Sequence, residues 1–344
     1  MTLHVFDQDF TYKGRIENWI SLTWSEEFQD EGDFTLMVND TNRYAQLLQR
    51  GYYFYRKDRP GAMMAVRVER DIGKGTITVN GHSTIILLDR RVVRYEYKVT
   101  NVESGIYGMV QENLRGLPNI AFAQSKGLPA ESETSFEATE MLKSLFTLCE
   151  AGDVGLRMLF DYTNKKHTLE VYPGVDRTYQ NESGSWYIFS TEFGSMNNLK
   201  IVEDDDVYKN AVFVHAVNSD EAVFSQDIGT ATGLDRRETI IRGEDRKTEQ
   251  TFLEWVNALN AKGYEKLHEY QDVQTFELEP ATALFGEKFE LGDKVTCNSK
   301  RHNVRFNTRI TGYKYTSDRN GEKVTLTIGN KDIDYVKGAI LKHG

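Results

Sequence analysis

Cysteine and proline are scarce in this chain, and long apolar runs are missing. Cys149 and Cys297 are its only cysteines and stand far apart. That excludes a disulfide-stapled scaffold and any Cys-x-x-Cys motif, and predicts two reduced thiols in or near cores. Five prolines in 344 residues exclude a proline-rich linker protein. No stretch approaches the ~20 apolar residues of a membrane-spanning helix. The opening Met1-Thr2-Leu3-His4-Val5-Phe6-Asp7 lacks the basic leader and apolar core of a secretory signal, so synthesis and folding in a cytoplasm are expected. None of the histidines pairs with another at the i, i+4 spacing of a helical zinc site, and there is no Gly-x-Ser-x-Gly elbow or phosphate-cradling glycine loop. A basic face is also missing. With a net charge of −10, the chain is not built to grip nucleic acid.

What is present is β-rich. Aromatics make up 12% of the residues, with 18 Tyr and 18 Phe, which favour strands and interfaces. The alternating segments Leu3–Phe6, Ser21–Ser25, Asp33–Val38, Ala62–Glu69 and Thr76–Gly81 predict short strands in the first hundred residues. A short helix over Arg43–Gln49 ends at Gly51. The middle changes character. Val102–Leu114 and Phe136–Cys149 show helical spacing, the second with a cap at Thr134 or Ser135, and Leu156–Phe160 and Thr168–Tyr172 read as strands. From Leu199 the β pattern returns in Leu199–Val202, Asn210–Val217 and Arg236–Ile241. An amphipathic helix over Thr248–Tyr270 interrupts it, with Gly263 as its weak point. Val324, Leu326 and Ile328 alternate with Thr325 and Thr327 behind the turn signal Asn320-Gly321.

The expected architecture is mixed and β-rich, of α+β type. It has a β domain over 1–98, an α+β insert over 99–197, a second β domain from 198–242 with 272–335, and a helical insertion over 243–271. With several domains in 344 residues, each has material for its own core. No residue set singles out a catalytic centre, a metal or a cofactor. Asp204-Asp205-Asp206 reads as a solvated turn, and Cys149 as a core residue beside Leu145 and Phe146. Candidate interface residues are Asp89, Arg90 and Arg91, which suggest an ion pair within the fold or across a subunit boundary, and Tyr52, Tyr53 and Tyr55. The tyrosines fit an interface anchor and core packing equally. The segments Thr35–Val38 and Val324–Ile328 are candidate edge strands for pairing with a neighbour.

Several segments together carry a resemblance: Leu3–Phe10 with Gly14 and Ile16, Leu22-Thr23-Trp24, Gly32-Asp33-Phe34, Leu47–Tyr52, Thr78–Ser83, and Leu87–Arg91. The pattern resembles the baseplate hub, or tail-associated, proteins of long-tailed phages and prophages of Gram-positive bacteria. It is strongest over 1–95 and 285–330. The resemblance implies two related β-barrel domains with inserted α+β domains, and a homotrimer whose six barrels form a ring. It implies a distal-tail or tail-tube protein above, a receptor-binding or spike protein below, DNA passing without specific binding, and no stable membrane insertion. It places the protein at the virion tail tip, assembled in the host cytoplasm. Many members carry a C-terminal peptidase or glycan-cleaving domain or a fibre. This sequence stops at Gly344, so no such activity is expected from it. The rivals are a cell-wall hydrolase, which would need convergent carboxylates, and a carbohydrate-binding adhesin using exposed aromatics such as Trp19 or Trp186.

Overall fold

The computed structural model describes residues 1–182, 184–204, 208–217, 223–243, 246, 251–269, 273–280, 285–299 and 304–329. They fall into two compact units, one of Met1–Lys200 with Glu277–Ile328 and one of Ile201–Phe276. The first unit opens with β1 (Leu3–Phe6), β2 (Tyr12–Ile16), β3 (Ser21–Glu27), β4 (Asp33–Asn39), α1 (Asn42–Leu47), β5 (Tyr53–Tyr55), β6 (Ala62–Asp71) and β7 (Thr76–Ser83). A 3-10 turn over Thr84–Arg90 leads to β8 (Val92–Val93), β9 (Tyr97–Asn101), α2 (Val102–Asn113), β10 (Ile120–Phe122), β11 (Glu131–Phe136), β12 (Thr139–Glu140), α3 (Met141–Ala151), β13 (Gly155–Asp161) and β14 (Lys166–Tyr172). After β15 (Ile188–Ser190), β16 (Met196–Asp204) carries the chain out. The second unit holds β17 (Ala211–Val217), β18 (Val223–Ile228), β19 (Glu238–Arg242) and α4 (Phe252–Glu269). The return runs through β20 (Val273–Pro280) to β21 (Lys294–Ser299), β22 (Val304–Asp318) and β23 (Gly321–Ile328).

One long sheet organises the first unit, in the order β16-β20-β23-β22-β3-β4-β7-β6-β5-β1-β2, with β21 and β15 branching from β22. Its centre is the antiparallel pairing of β22 with β3, from Gly312↔Glu27 to Asp318↔Ser21. Opposite residues in such a pair share a face. Tyr315, Trp24, Phe34 and Gly81 therefore form one row, on the buried side. Thr316, Thr23, Thr35 and Asn80 form a row on the other side. Gly81 has a packing reason, since a Cβ there would stand 2.1 Å from the Met64 carbonyl oxygen and 2.5 Å from the Phe34 ring. A second core joins α2 and α3 to β13 and β14 through Ile106, Met109, Leu145, Cys149, Leu156 and Leu169.

The second unit is a small sheet in the order β18-β17-β19, with β17 antiparallel to β18 and parallel to β19. Helix α4 covers one face, burying Trp255 and Leu259 against Val212, Val214, Ala216 and Ile228. Gly263, weak by helix propensity, sits where the helix comes close to the sheet. A Cβ there would lie 2.5 Å from the Ile228 side chain and 2.9 Å from that of Val214.

The structure departs from the sequence reading in identifiable ways. Residues 198–242 and 272–335 were expected together, whereas 277–328 belongs with the N-terminal strands and β17–β19 group with α4. Alternation marks a strand but does not name its partner. The segments Thr35–Val38 and Val324–Ile328 are not edges: β4 lies between β3 and β7, and β23 between β22 and β20. The helix expected from Phe136 starts at Met141 with Glu140 as N-cap, because the chain is still in strands as far as Phe136 and again at Thr139–Glu140. Asp205 and Asp206 of the acidic turn lie outside the described residues.

Candidate functional site

The most constructed feature of the first unit is the seam where β3 meets β22. Trp24 and Glu26 come from β3, Tyr313 and Tyr315 from β22, Arg56 and Arg59 from the loop after β5, and Phe285 and Glu290 from the segment ahead of β21. Arg59 is 3% exposed. Its Nε donates to Glu26 Oε1 (2.8 Å) and its Nη2 to Glu26 Oε2 (2.6 Å). The same guanidinium donates from Nη1 to Glu290 Oε2 (3.1 Å) and from Nη2 to Glu290 Oε1 (2.9 Å). It also lies over two rings, 4.5 Å from the Phe285 centroid and 5.0 Å from that of Tyr313. Arg56 repeats the motif beside it. Its guanidinium lies 4.6 Å from the Tyr315 ring centroid and 5.4 Å from that of Trp24, and is bound by both oxygens of Asp58. Trp24 Nε1 donates to Glu26 Oε1 at 2.8 Å.

Electrostatics explains why such groups tolerate burial. Burial alone would push the Glu26 carboxyl up, but the charge and hydrogen bonds of Arg59 outweigh it and the pKa falls below the ordinary value. The two carboxylates in turn raise the Arg59 pKa against its own desolvation. A planar fork held by two carboxylates and stacked on rings is work for arginine and not for lysine. A second strut reinforces the same segment. Arg309 donates to the carbonyls of Pro173 and Gly292 and to Asp153 Oδ2. Asp293, 2% exposed, accepts from the Val175 and Glu290 backbone nitrogens and from Arg177 Nε.

Arg59 and its two carboxylates are consumed by one another, whereas Arg56 keeps Nη1 without a partner among the described residues and, with Phe285, Tyr313 and Tyr315, lines a cleft of about 1160 Å3. A smaller cleft on the other side of Arg59, lined by Glu26, Glu27, Asp30, Arg59, Arg157 and Tyr172, measures about 50 Å3. That is room for a few waters and not for a sugar ring. Glu27, on the outer side of the seam, is pushed up to about 8 by burial and by Asp30, Asp33 and Glu26, with Lys314 opposing. Burial pushes the thiols of Cys149 and Cys297 up, which removes the thiolate a nucleophile requires. Among the described residues there is no cluster of three or more side chains able to hold a metal.

The candidate interface residues are spread out. Tyr53 is buried with Phe10, Phe160 and His167, and Tyr55 is half-buried against Phe160 and Tyr162. Tyr52 is half-buried, and its carbonyl accepts from the Ala65 nitrogen. Arg90 reaches Met64 Sδ at 3.7 Å, which brings it to the Tyr53 cluster, while Arg91 Nε donates to the Leu114 carbonyl at 2.7 Å. Asp89 is exposed, and among the described residues it pairs with neither arginine. Sequence reading missed Arg56 and Arg59. The only local sign was two arginines between an aromatic strand and an apolar one. Glu290, the partner of Arg59, is 231 positions away from it.

The fold can be placed among known structures. The tail protein from Neisseria meningitidis MC58 superposes with a TM-score of 0.57 at 10% identity, covering 96% of each chain. The 43 kDa tail protein of prophage MuSo2 from Shewanella oneidensis gives 0.57 at 10% identity over 95% of each chain. Prophage tail protein gp18 from Listeria monocytogenes EGD-e gives 0.51 at 11% identity over 95% of this chain and 94% of its own. At such identities the likeness concerns the fold. No curated protein matches the sequence. The family described as siphovirus ReqiPepy6 Gp37-like protein matches residues 2–330, nearly the whole chain, with the seam included; this protein belongs to that family.

Proposed function

We propose that the chain is a structural part of a phage tail tip, a hub of which three copies close a ring at the distal end of the tail tube. In this reading β1–β7 form one barrel-like module, and β15, β16 and β20–β23 form the other. Three copies thus offer six modules to a hexameric tube. The hub joins the tail-tube protein above to a receptor-binding or spike protein below and leaves a channel for DNA. It works at the virion tail tip after assembly in the bacterial cytoplasm, and it catalyses nothing.

The observation that carries the reading is the seam. The pairing of β22 with β3 makes one sheet of two strand sets from opposite ends of the chain, and two buried arginines lock it. A ring part must hold two modules at a fixed angle. Family membership and a fold shared with tail proteins support the same conclusion. The net charge of −10 favours a channel wall that does not retain a polyanion. Light scattering over a concentration series, followed by negative-stain imaging with and without the tail-tube protein, tests the proposal. A three-copy ring is expected. A chain that stays monomeric with the tube protein present overturns it.

A further inference from the structure

One hydrogen-bonding need is left unmet at the seam, in a residue that lines a cleft. Arg56 is 2% exposed. Its Nε and Nη2 are held by Asp58, and Nη2 also reaches the Tyr313 hydroxyl, but Nη1 has no partner among the described residues. A buried guanidinium nitrogen without an acceptor is costly, whereas its neighbour Arg59 is fully used. The cleft that Arg56 lines measures about 1160 Å3 and lies wholly within the first unit. Phe285, half-buried and stacked on Tyr313 at 4.2 Å between ring centroids, gives it an aromatic wall. Val324 stands opposite Tyr315 in the β22–β23 ladder, and both belong to the lining.

The charges around the cleft narrow the kind of ligand. Arg56 is matched by Asp58, Lys323 by Glu279, and Arg15 by Glu17. Lys57 and Glu322 remain, one of each sign. Burial and the charges of Lys57 and Arg15 lower the His4 pKa, so its ring is mainly neutral at pH 7 and offers one donor and one acceptor. An anion entering here meets Asp58, Glu279 and Glu322, and a cation meets Arg56, Lys57 and Lys323. A neutral group that both accepts and donates avoids each conflict, and the hydroxyl is such a group.

We infer that this cleft binds a neutral polyhydroxylated ligand, an oligosaccharide, with one hydroxyl accepting from Arg56 Nη1 and the next donating to Asp58. The hydrocarbon face of a sugar ring would lie against Phe285. The volume is just above the roughly 300–1,000 Å3 of small-ligand sites, which suits several rings and not a single one. This holds whether or not three copies form a ring.

The test uses the full chain with maltose, cellobiose and N,N′-diacetylchitobiose as probes, read by saturation-transfer NMR and calorimetry. Digalacturonate and glucosamine serve as charged controls. At least one neutral disaccharide should bind saturably and more tightly than either control. Arg56→Lys keeps a positive charge opposite Asp58 but removes Nη1, and should weaken that binding about tenfold. Val324→Trp, which fills the cleft, should abolish it. Circular dichroism melts identify any variant that fails to fold, in which case Lys57→Trp, at the exposed rim, takes its place. No binding by any neutral probe, tighter binding of digalacturonate, or binding undiminished by these variants overturns the inference. So does self-association in sedimentation that Val324→Trp abolishes, because it would assign the cleft to a second copy.

Discussion

The seam and the second unit solve the same problem by different means. At the seam, strands from opposite ends of the chain are fastened by buried arginines: Arg59 between Glu26 and Glu290, and Arg56 against the Tyr315 ring. In the second unit, β17, β18 and β19 are fastened to α4 by apolar packing around Trp255 and Leu259. The far side of that sheet carries Phe213 and Ile240, both exposed. Apolar packing forgives small errors of angle and spacing. A bidentate guanidinium between two carboxylates does not, and removing either side leaves a buried charge alone. Where strands from opposite ends of the chain meet, directional bonds are used; where a helix covers a sheet, packing is enough.

Three substitutions or conditions break this contrast, taken from the largest effect. Arg59→Ala strands Glu26 and Glu290 without a counter-charge and should cost about 3–5 kcal/mol. Urea unfolding followed by circular dichroism checks it, and restoring much of the loss with Glu26→Gln and Glu290→Gln added would separate charge from packing. Leu259→Ala, in the other region, removes an apolar side chain from under the helix and should cost about 3 kcal/mol locally. Hydrogen exchange should show β17 and α4 opening sooner while β3 and β22 keep their protection. Loss of protection at the seam as well would contradict the contrast. The third is a titration. His167 is 1% exposed among Phe10, Tyr53 and Phe160, with neither ring nitrogen bonded, and its pKa is lowered to about 4 by burial. A lowered pKa favours the neutral ring in the folded state. Its contribution is therefore complete above the unfolded value near 6.5 and is lost as pH falls toward 4, by about 3 kcal/mol in all. Urea midpoints between pH 7 and pH 4 should fall less in His167→Phe than in the unaltered chain.

Much of the local structure was legible in the sequence, and little of its assembly was. β4, β7 and β23 follow from alternation, and α2 follows from the spacing of Ile106, Met109 and Val110. Partners were another matter. The same alternation describes β17 and β23, yet one belongs with a helix and the other with β22 and β20. Periodicity carries the face of a strand and not its neighbour, so the bounds of the second β domain and both proposed edges rested on nothing local. The ionic lock was invisible for a related reason. Arg56-Lys57-Asp58-Arg59 looks like any charged turn until Glu290 and Tyr313 arrive from more than two hundred positions away. Tyr53 shows the opposite limit, since core and interface demand the same ring and only coordinates choose between them.

The β3–β22 pairing also sets a timetable. While the ribosome works, β3 is finished long before residues 312–318 exist. At ordinary elongation speeds the interval is roughly 15–60 s, and throughout it the nascent polypeptide offers a half-made sheet to whatever is nearby. A message cut short upstream of β22 would leave that border permanently unclaimed, and its product should precipitate or stay bound to a chaperone.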